Sequence, residues 1–176
     1  MKVREGIGEL KFTEAQIVKM ETVAKARGMD QYLLLRLWGR RGLRVSESLG
    51  LRRKDVRDKG VWIAQKGGEI VLKILPPEIY EELGKYASHL KADEQLFPIG
   101  RRTALNWARQ IAHESGIENW ERAHPHRWRH FFGTFQARRT GRDPWKVKSL
   151  MGHKDLRATS VYVDNLSPEE ELQELS

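Results

Sequence analysis

Apolar residues recur at helical spacing over most of the chain, with polar residues between them. The first such segment begins at Thr13, which with Gln16 forms the sequence pattern of a capping box, and it closes at Gly28. A second begins behind Asp30, and "RVSESLGL" predicts a third, short helix. The later helical segments are predicted at 77–90, 101–115, 126–139, 144–151 and 155–163.

The pattern changes to alternation between the third and fourth helices. The stretch "DVRDKGVWIAQKGGEIVLKILPP" is interrupted by the turn signals Lys59-Gly60 and Gly67-Gly68 and ends at two prolines. It predicts a three-stranded antiparallel meander. The expected fold class is therefore α+β, mainly α-helical with one small three-stranded antiparallel sheet.

Composition narrows the classes of protein. A chain of 176 residues fits a single domain. The absence of cysteine excludes disulfides, cysteine-based zinc sites and a cysteine nucleophile, and it favours the cytoplasm. No apolar run reaches the roughly eighteen residues of a membrane span, and the first residues lack the apolar stretch of a signal peptide. We expect a soluble, cytoplasmic protein with no membrane partner.

The charge balance suggests a polyanionic partner. The chain carries 32 Lys and Arg against 24 Asp and Glu, a formal net charge of +8, and some of the acids are concentrated in the last residues, "SPEEELQELS". Such a balance suits a protein that binds a phosphate backbone and releases its condensed counterions. On charge alone, a solvated basic surface is an equal alternative.

A cluster of basic side chains lies in the predicted helix 126–139. His126 and His130 are one helical turn apart, which is also a zinc-binding spacing. However, Arg127 stands where the zinc-protease motif has glutamate, and Arg129 lies close to the histidine face. Two histidines and an arginine suit an anion such as phosphate better. Histidines packed on a core face remain the alternative from this motif alone.

A second motif follows at "LMGHKDLRATSVY", where Gly152 precedes His153 and Tyr162 comes nine residues after that histidine. Together the two motifs resemble the tyrosine recombinases, the phage-integrase and Xer-like family. That family has a His-x-x-Arg-His box, a Leu-Gly-His box, and a tyrosine nine residues beyond. The matching positions are His126, Arg129, His130, Gly152, His153 and Tyr162.

The upstream family motifs are also present. "GLRVSE" supplies the other arginine of the family as Arg44, with Glu47 one turn away and able to orient it. The family's lysine in a β-hairpin turn corresponds to Lys66 in "AQKGGE". Here Gln65 replaces a glycine and the distance to Pro76 is longer than usual, so Lys73 remains a competitor for this role.

The resemblance implies metal-independent cleavage and rejoining of DNA, with no cofactor. Tyr162 would attack a phosphodiester to give a 3′-phosphotyrosyl intermediate. Arg44 and Arg129 would clamp the phosphate, with His153 as a further donor. His126 would accept the tyrosine proton and Lys66 would protonate the leaving 5′-oxygen. His130 and Glu47 would support these groups.

The resemblance also implies a domain organisation and partners. We expect one catalytic domain with an N-terminal helix in 1–29, a catalytic core at 30–164 and an acidic tail at 165–176, without the preceding core-binding domain of the family. The expected partners are double-stranded DNA, further copies in a tetramer on DNA, and a separate core-binding domain or accessory protein, at the nucleoid. The alternatives are a type IB topoisomerase-like nicking-closing enzyme and a DNA-binding accessory relative that does not recombine.

Overall fold

The computed structural model describes residues 12–65, 67–153 and 155–163. These residues form α-helices and one sheet, which confirms the predicted fold class. The helices are α1 Glu14–Arg27, α2 Met29–Gly39, α3 Val45–Leu49, α4 Pro77–Ala87, α5 Arg101–Glu114, α6 Pro125–Arg139, α7 Pro144–Met151 and α8 Arg157–Val163. The strands are β1 Val56–Arg57, β2 Gly60–Ala64 and β3 Ile70–Ile74, antiparallel in the order β1-β2-β3.

The ends of α1 follow the capping signals of the sequence, whereas α2 begins at Met29 and contains Asp30, behind which it was predicted to begin. The capping box of α1 is formed, because Thr13 Oγ1 accepts a hydrogen bond from the Gln16 amide at 3.2 Å and Gln16 Oε1 accepts one from the Thr13 amide at 2.9 Å. Helix α8 begins two residues later than predicted. Asp155 lies outside it because its carboxylate accepts a hydrogen bond from the Ala158 amide at 3.2 Å. Helix α4 ends at Ala87, three residues earlier than predicted.

Helix α2 runs through the centre of the main core. Its "YLLLRLWG" segment is buried along its whole length, as expected of a helix that is apolar on every side. Trp38 meets Trp128 of α6 edge to face, with ring centroids 6.3 Å apart. The chain leaves this rigid helix directly into Arg41, Gly42 and Arg44. The core therefore fixes where those residues lie.

The sheet covers one side of the core, and a lysine of its third strand is buried. In the β2–β3 pair, Val61 lies opposite Lys73 and Ala64 opposite Ile70. Lys73 is buried, whereas Ile70 and Ile74 on the same strand are 67% and 54% exposed. The predicted hairpin is confirmed, and Lys66 at its turn lies outside the described residues.

A second, smaller core joins the last three helices. Phe132 and Ala137 of α6, Val147 and Met151 of α7, and Tyr162 of α8 are buried against one another. This cluster fixes the position of Tyr162. In the part of the chain that the structure describes, no helix is both long and apolar enough to span a membrane. The predicted acidic tail at 165–176 lies outside that part.

Candidate active site

Five of the six predicted catalytic side chains meet where α3, α6, α7 and α8 converge. Arg44 precedes α3, His126 and Arg129 lie on α6, His153 follows α7, and Tyr162 lies on α8. The sixth, Lys66, is outside the described residues. Residues far apart in sequence are thus brought together in one cluster.

Arg44 is oriented by Glu47. The Glu47 carboxylate accepts one hydrogen bond from Arg44 Nη1 and one from the Arg44 amide, both at 2.7 Å. The glutamate side chain is 5% exposed, whereas that of the arginine is 38% exposed. The guanidinium is therefore anchored at one edge and open to the cleft at the other. The predicted Arg44–Glu47 pairing is present.

Arg129 is more deeply buried than Arg44. Its Nη1 donates to the Gly42 carbonyl and its Nη2 to the Met151 carbonyl, the latter at 2.9 Å. Burial, and then the neighbouring Arg44, lower the pKa of Arg129 to about 10. The group is still a cation at neutral pH. Both acceptors named here are backbone carbonyls and not carboxylates. The positive charge of Arg129 therefore remains available to an anion.

Two histidines of α6 form a row of rings that leads to Tyr162. The rings of His126 and His130 are perpendicular with centroids 4.5 Å apart, and His130 lies 5.3 Å from the Tyr162 ring. Burial, followed by Arg129, lowers the pKa of His126 below its usual value. His126 is therefore uncharged at neutral pH and able to accept a proton.

His153 is held at the end of α7 by a left-handed glycine. Gly152 has φ 67°, a conformation that favours glycine and turns the chain back toward the cleft. His153 Nδ1 lies 3.0 Å from Thr159 Oγ1. Burial and then Arg129 lower the pKa of His153 to about 4. When Thr159 donates to Nδ1, the ring proton is on Nε2, where it can be donated to an anion.

Tyr162 packs between two imidazoles. Its ring is stacked on His153 at 5.9 Å and lies beside His130. Gly133 of α6 makes room for it, because a Cβ atom there would be 2.6 Å from Tyr162 Cε1. The residue is 7% exposed, and burial raises the pKa of its hydroxyl although Arg129 and Arg44 oppose the shift. The resting phenol is thus protonated.

Two further cations adjoin the site. Arg41 donates to the Ile74 carbonyl at 2.6 Å and to the Leu150 carbonyl at 2.9 Å. Lys73 Nζ lies 3.4 Å from the same Leu150 oxygen. Sequence reasoning raised Lys73 only as a competitor for Lys66 and did not identify Arg41. The only sequence signal for Arg41 was its position directly before the "GLR" motif. The family motif gives no rule for that position.

Two open depressions of the surface adjoin the site. The first, the catalytic cleft, has a volume of about 730 Å³ and is lined by Arg44, Gln65, Gly67, Gly152, His153, Asp155 and Ala158. The second, the arginine groove, has a volume of about 640 Å³ and is lined by Val45, Arg101, Arg102, Leu105, Arg109, His124, Pro125 and His126. The neighbouring residues Arg44 and Val45 connect them. Among the described residues, no three potential metal-binding side chains come together.

The chemistry of the cleft suits a phosphate diester. Arg44, Arg129, Arg41 and Lys73 place positive charge around one buried carboxylate, Glu47. A protonated tyrosine lies beside the neutral imidazole of His153 in the same place. Clustered cations that burial has already desolvated attract an anion strongly. The site therefore combines a binding place for an oxyanion with an oxygen nucleophile.

Comparison with known proteins identifies the family. The profile of the Phage integrase family matches residues 11–169, and the chain belongs to that family. It is 31% identical over 152 residues to tyrosine recombinase XerA of Saccharolobus solfataricus, covering 85% of this chain and 50% of that protein. It is 29% identical over 164 residues to XerA of Pyrococcus furiosus, covering 85% of this chain and 55% of that protein. The chain thus spans about half the length of these curated relatives.

Solved structures support the fold assignment. The XerA recombinase crystal structure superposes with a TM-score of 0.75 at 21% identity, covering 94% of this chain and 63% of that one. XerH recombinase bound to its difH substrate gives 0.76 at 18% identity, covering 95% and 54%. The catalytic domain of bacteriophage HP1 integrase gives 0.70 at 18% identity, covering 94% and 92%. The fold is that of a tyrosine recombinase catalytic domain, as predicted.

Proposed function

We propose that this chain acts as the catalytic domain of a site-specific DNA recombinase, which cleaves and rejoins strands through a 3′-phosphotyrosyl intermediate. The observation that carries the proposal is the packing of Tyr162 between His130 and His153, beside the two arginines Arg44 and Arg129. The names of the relatives point the same way, since they are tyrosine recombinases. The proposed domain is 30–164, with the N-terminal helix in 1–29 and the tail at 165–176.

In the proposed first step, Tyr162 Oη forms a bond to phosphorus and the bond from phosphorus to the 5′-oxygen breaks. His126 accepts the tyrosine proton, which burial holds on the phenol in the resting protein. Lys66 donates a proton to the leaving 5′-oxygen. Arg44, Arg129 and His153 stabilise the charge that builds on the non-bridging oxygens. Attack by a 5′-hydroxyl on the phosphotyrosine reverses the step and joins the strands.

The proposed partner is double-stranded DNA, bound through the catalytic cleft and the arginine groove. We further propose that the chain is monomeric in free solution and assembles into a tetramer on DNA, with a core-binding domain supplied by another segment or protein. XerH recombinase, a structural neighbour, was solved bound to a difH substrate. Light scattering with and without a DNA site tests the assembly.

Replacing Tyr162 with phenylalanine tests the proposal directly. The substrate is a nicked duplex whose sequence is selected from a random library by its binding to the protein. The unchanged protein is expected to form a covalent adduct that survives a denaturing gel, also in EDTA. Tyr162→Phe should abolish the adduct and leave the Kd within about threefold, because only the attacking oxygen is lost.

Tyr80→Phe, a change of the same size on α4, should leave adduct formation unchanged. An adduct that persists in Tyr162→Phe would remove this residue as the nucleophile. A strict requirement for magnesium would indicate a different mechanism. Strand exchange between paired sites separates a recombinase from an enzyme that only nicks and reseals.

A further inference from the structure

Three cations converge on the end of helix α7. The Leu150 carbonyl lies 2.9 Å from Arg41 Nη1 and 3.4 Å from Lys73 Nζ, and the Met151 carbonyl accepts from Arg129 Nη2 at 2.9 Å. The last carbonyls of a helix have no partner within the helix, and they lie at its negative end. Side chains from the end of α2, from β3 and from α6 supply these partners. The end of α7 is thereby tied to three other elements.

Lys73 packs directly against the turn formed by residues 150–153. A Cβ atom on Gly152 would lie 2.8 Å from Lys73 Nζ and 2.7 Å from Gln65 Nε2. The left-handed φ of 67° also favours glycine at this position. The turn therefore fits closely over the lysine head group. A shift of that head group toward the turn would press against Gly152, and its loss would remove a contact on which the turn rests.

His153 depends on this turn for its place in the site. Its amide donates to the Lys148 carbonyl at 3.1 Å, and its ring meets Thr159 on one side and Tyr162 on the other. A displacement of the turn would move the imidazole relative to the tyrosine. Misplacement of about 1 Å can lower a rate by on the order of 10²-fold.

We propose that Lys73 and Arg41 are positioning residues, which fix the 150–153 turn and through it hold His153 against Tyr162. The inference deepens the proposed function and rests on it. Lys73 is 8% exposed and its ammonium is occupied by the Leu150 carbonyl, which suits an anchor better than a group that reaches a leaving oxygen. Its burial, and then the charge of Arg41, lower its pKa to about 8, so the fold keeps a cation there against a solvation penalty.

The test compares Lys73→Met, Arg41→Met and the double variant with Lys146→Met, which changes an exposed lysine on α7. Single-turnover cleavage is measured on an ordinary duplex and on one with a 5′-bridging phosphorothiolate, whose sulfur leaves without a proton donor. Each single variant should lose on the order of 10- to 10²-fold on both substrates. The double variant should lose less than the product of the two, because both anchor one carbonyl.

Lys66→Ala serves as the contrasting variant, since loss of the proposed proton donor should be relieved by sulfur. Relief of Lys73→Met by sulfur would make Lys73 the acid and overturn the proposal. Unchanged cleavage in Lys73→Met and Arg41→Met would overturn it as well, and so would multiplicative losses. Control cleavage by Lys146→Met should match the unchanged protein.

A readout without DNA separates this inference from the proposed function. In the NMR spectrum, the nuclear Overhauser effect between the His153 ring and the Thr159 methyl group should be weaker in Lys73→Met than in the unchanged protein, and unchanged in Lys146→Met. An unchanged intensity in Lys73→Met contradicts the positioning role, whatever the activity. If the unchanged protein forms no adduct on any duplex, the proposed function fails while this measurement still decides the role of the lysine in the turn.

Discussion

Lys73 keeps its charge where water scarcely reaches it. The residue is 8% exposed, and its pKa falls from 10.5 to about 8 because of burial and then because of Arg41, Arg129 and Arg44, which outweigh the opposing effect of Glu47. A buried ammonium with one carbonyl contact costs folding free energy. This cost is of the kind that active sites impose on a fold, since a chain selected for stability alone would have an apolar side chain there.

The pH dependence of stability measures that cost. Below about pH 8 both the folded and the unfolded chain carry the Lys73 proton, and the penalty is full. Between about 8 and 10.5 only the unfolded chain binds it, so the free energy of unfolding should rise with pH. The total is on the order of 3 kcal/mol. Urea unfolding at pH 7 to 10 should show the unchanged protein gaining stability relative to Lys73→Met.

Lys146→Met supplies the control for this measurement, because the Lys146 side chain is exposed. The unchanged protein should not gain stability relative to this variant as the pH rises. Parallel stability curves for the unchanged protein and Lys73→Met would contradict the assignment of a lowered pKa. A gain that appears below pH 7 would have to come from another group, such as His153, whose pKa lies at about 4.

At the scale of elements, the short helix α3 holds Arg44 at its N-terminal end. Glu47 closes the start of the helix by accepting from the Arg44 amide, and with its other oxygen it holds the Arg44 side chain. Asp55 makes the same backbone contact with the Arg52 amide at 2.8 Å, in a one-turn helix that lines neither the cleft nor the groove. Both carboxylates therefore cap the start of a helix, but only Glu47 also contacts a residue of the site. Asp55 is the matched control.

Glu47→Gln should lower the cleavage rate by on the order of tenfold and destabilise the fold by about 1–3 kcal/mol, since an amide turns one donor toward the donors of Arg44. Asp55→Asn should leave cleavage unchanged. Single-turnover cleavage and thermal unfolding of both variants check the expectation. Equal cleavage by Glu47→Gln and the unchanged protein would show that Arg44 does not need this anchor.

Elements were predictable from the sequence where their signals are local. The capping box of Thr13, the turn pair Gly67-Gly68 and the helix-ending Gly152 each act within a few residues, and the structure confirms all three. The ends of α4 and α8 were less exact. At α8 the Asp155 cap was missed because a carboxylate in a helix and one at its cap look alike in sequence.

The candidate site divides in the same way. Arg44, His126, Arg129, His153 and Tyr162 could be identified because a family motif links them, and the structure brings them together in one cluster. Arg41 reaches Leu150, a residue 109 positions away, through a contact that no periodicity encodes. The role of Gly133 in making room for Tyr162 was equally hidden, because a helical glycine has many explanations. The catalytic assignments themselves stay predictions until the variants are measured.

At the scale of the whole molecule, positive charge is arranged around the entrance to the site. The chain has a formal net charge of +8, and Arg101, Arg102 and Arg109 line the arginine groove that continues the catalytic cleft beyond Val45. Burial and then Arg127 lower the pKa of His124 in the same groove, so its ring is neutral at pH 7. The cations there are therefore arginines, which match phosphate oxygens with paired donors.

If this groove follows a DNA backbone, its arginines should contribute to the salt dependence of binding. Each phosphate contact adds about 0.9 to the slope of log K against log salt concentration for duplex DNA. Replacing Arg101, Arg102 and Arg109 with alanine should reduce the slope by up to about three, with similar losses of affinity on different sequences. The matched control replaces Arg53, Lys85 and Lys91, which are exposed and line neither depression, and so removes the same charge. Fluorescence anisotropy across a salt series measures both slopes. Equal reductions in the two triple variants would mean that overall charge, and not the groove, governs the interaction with DNA.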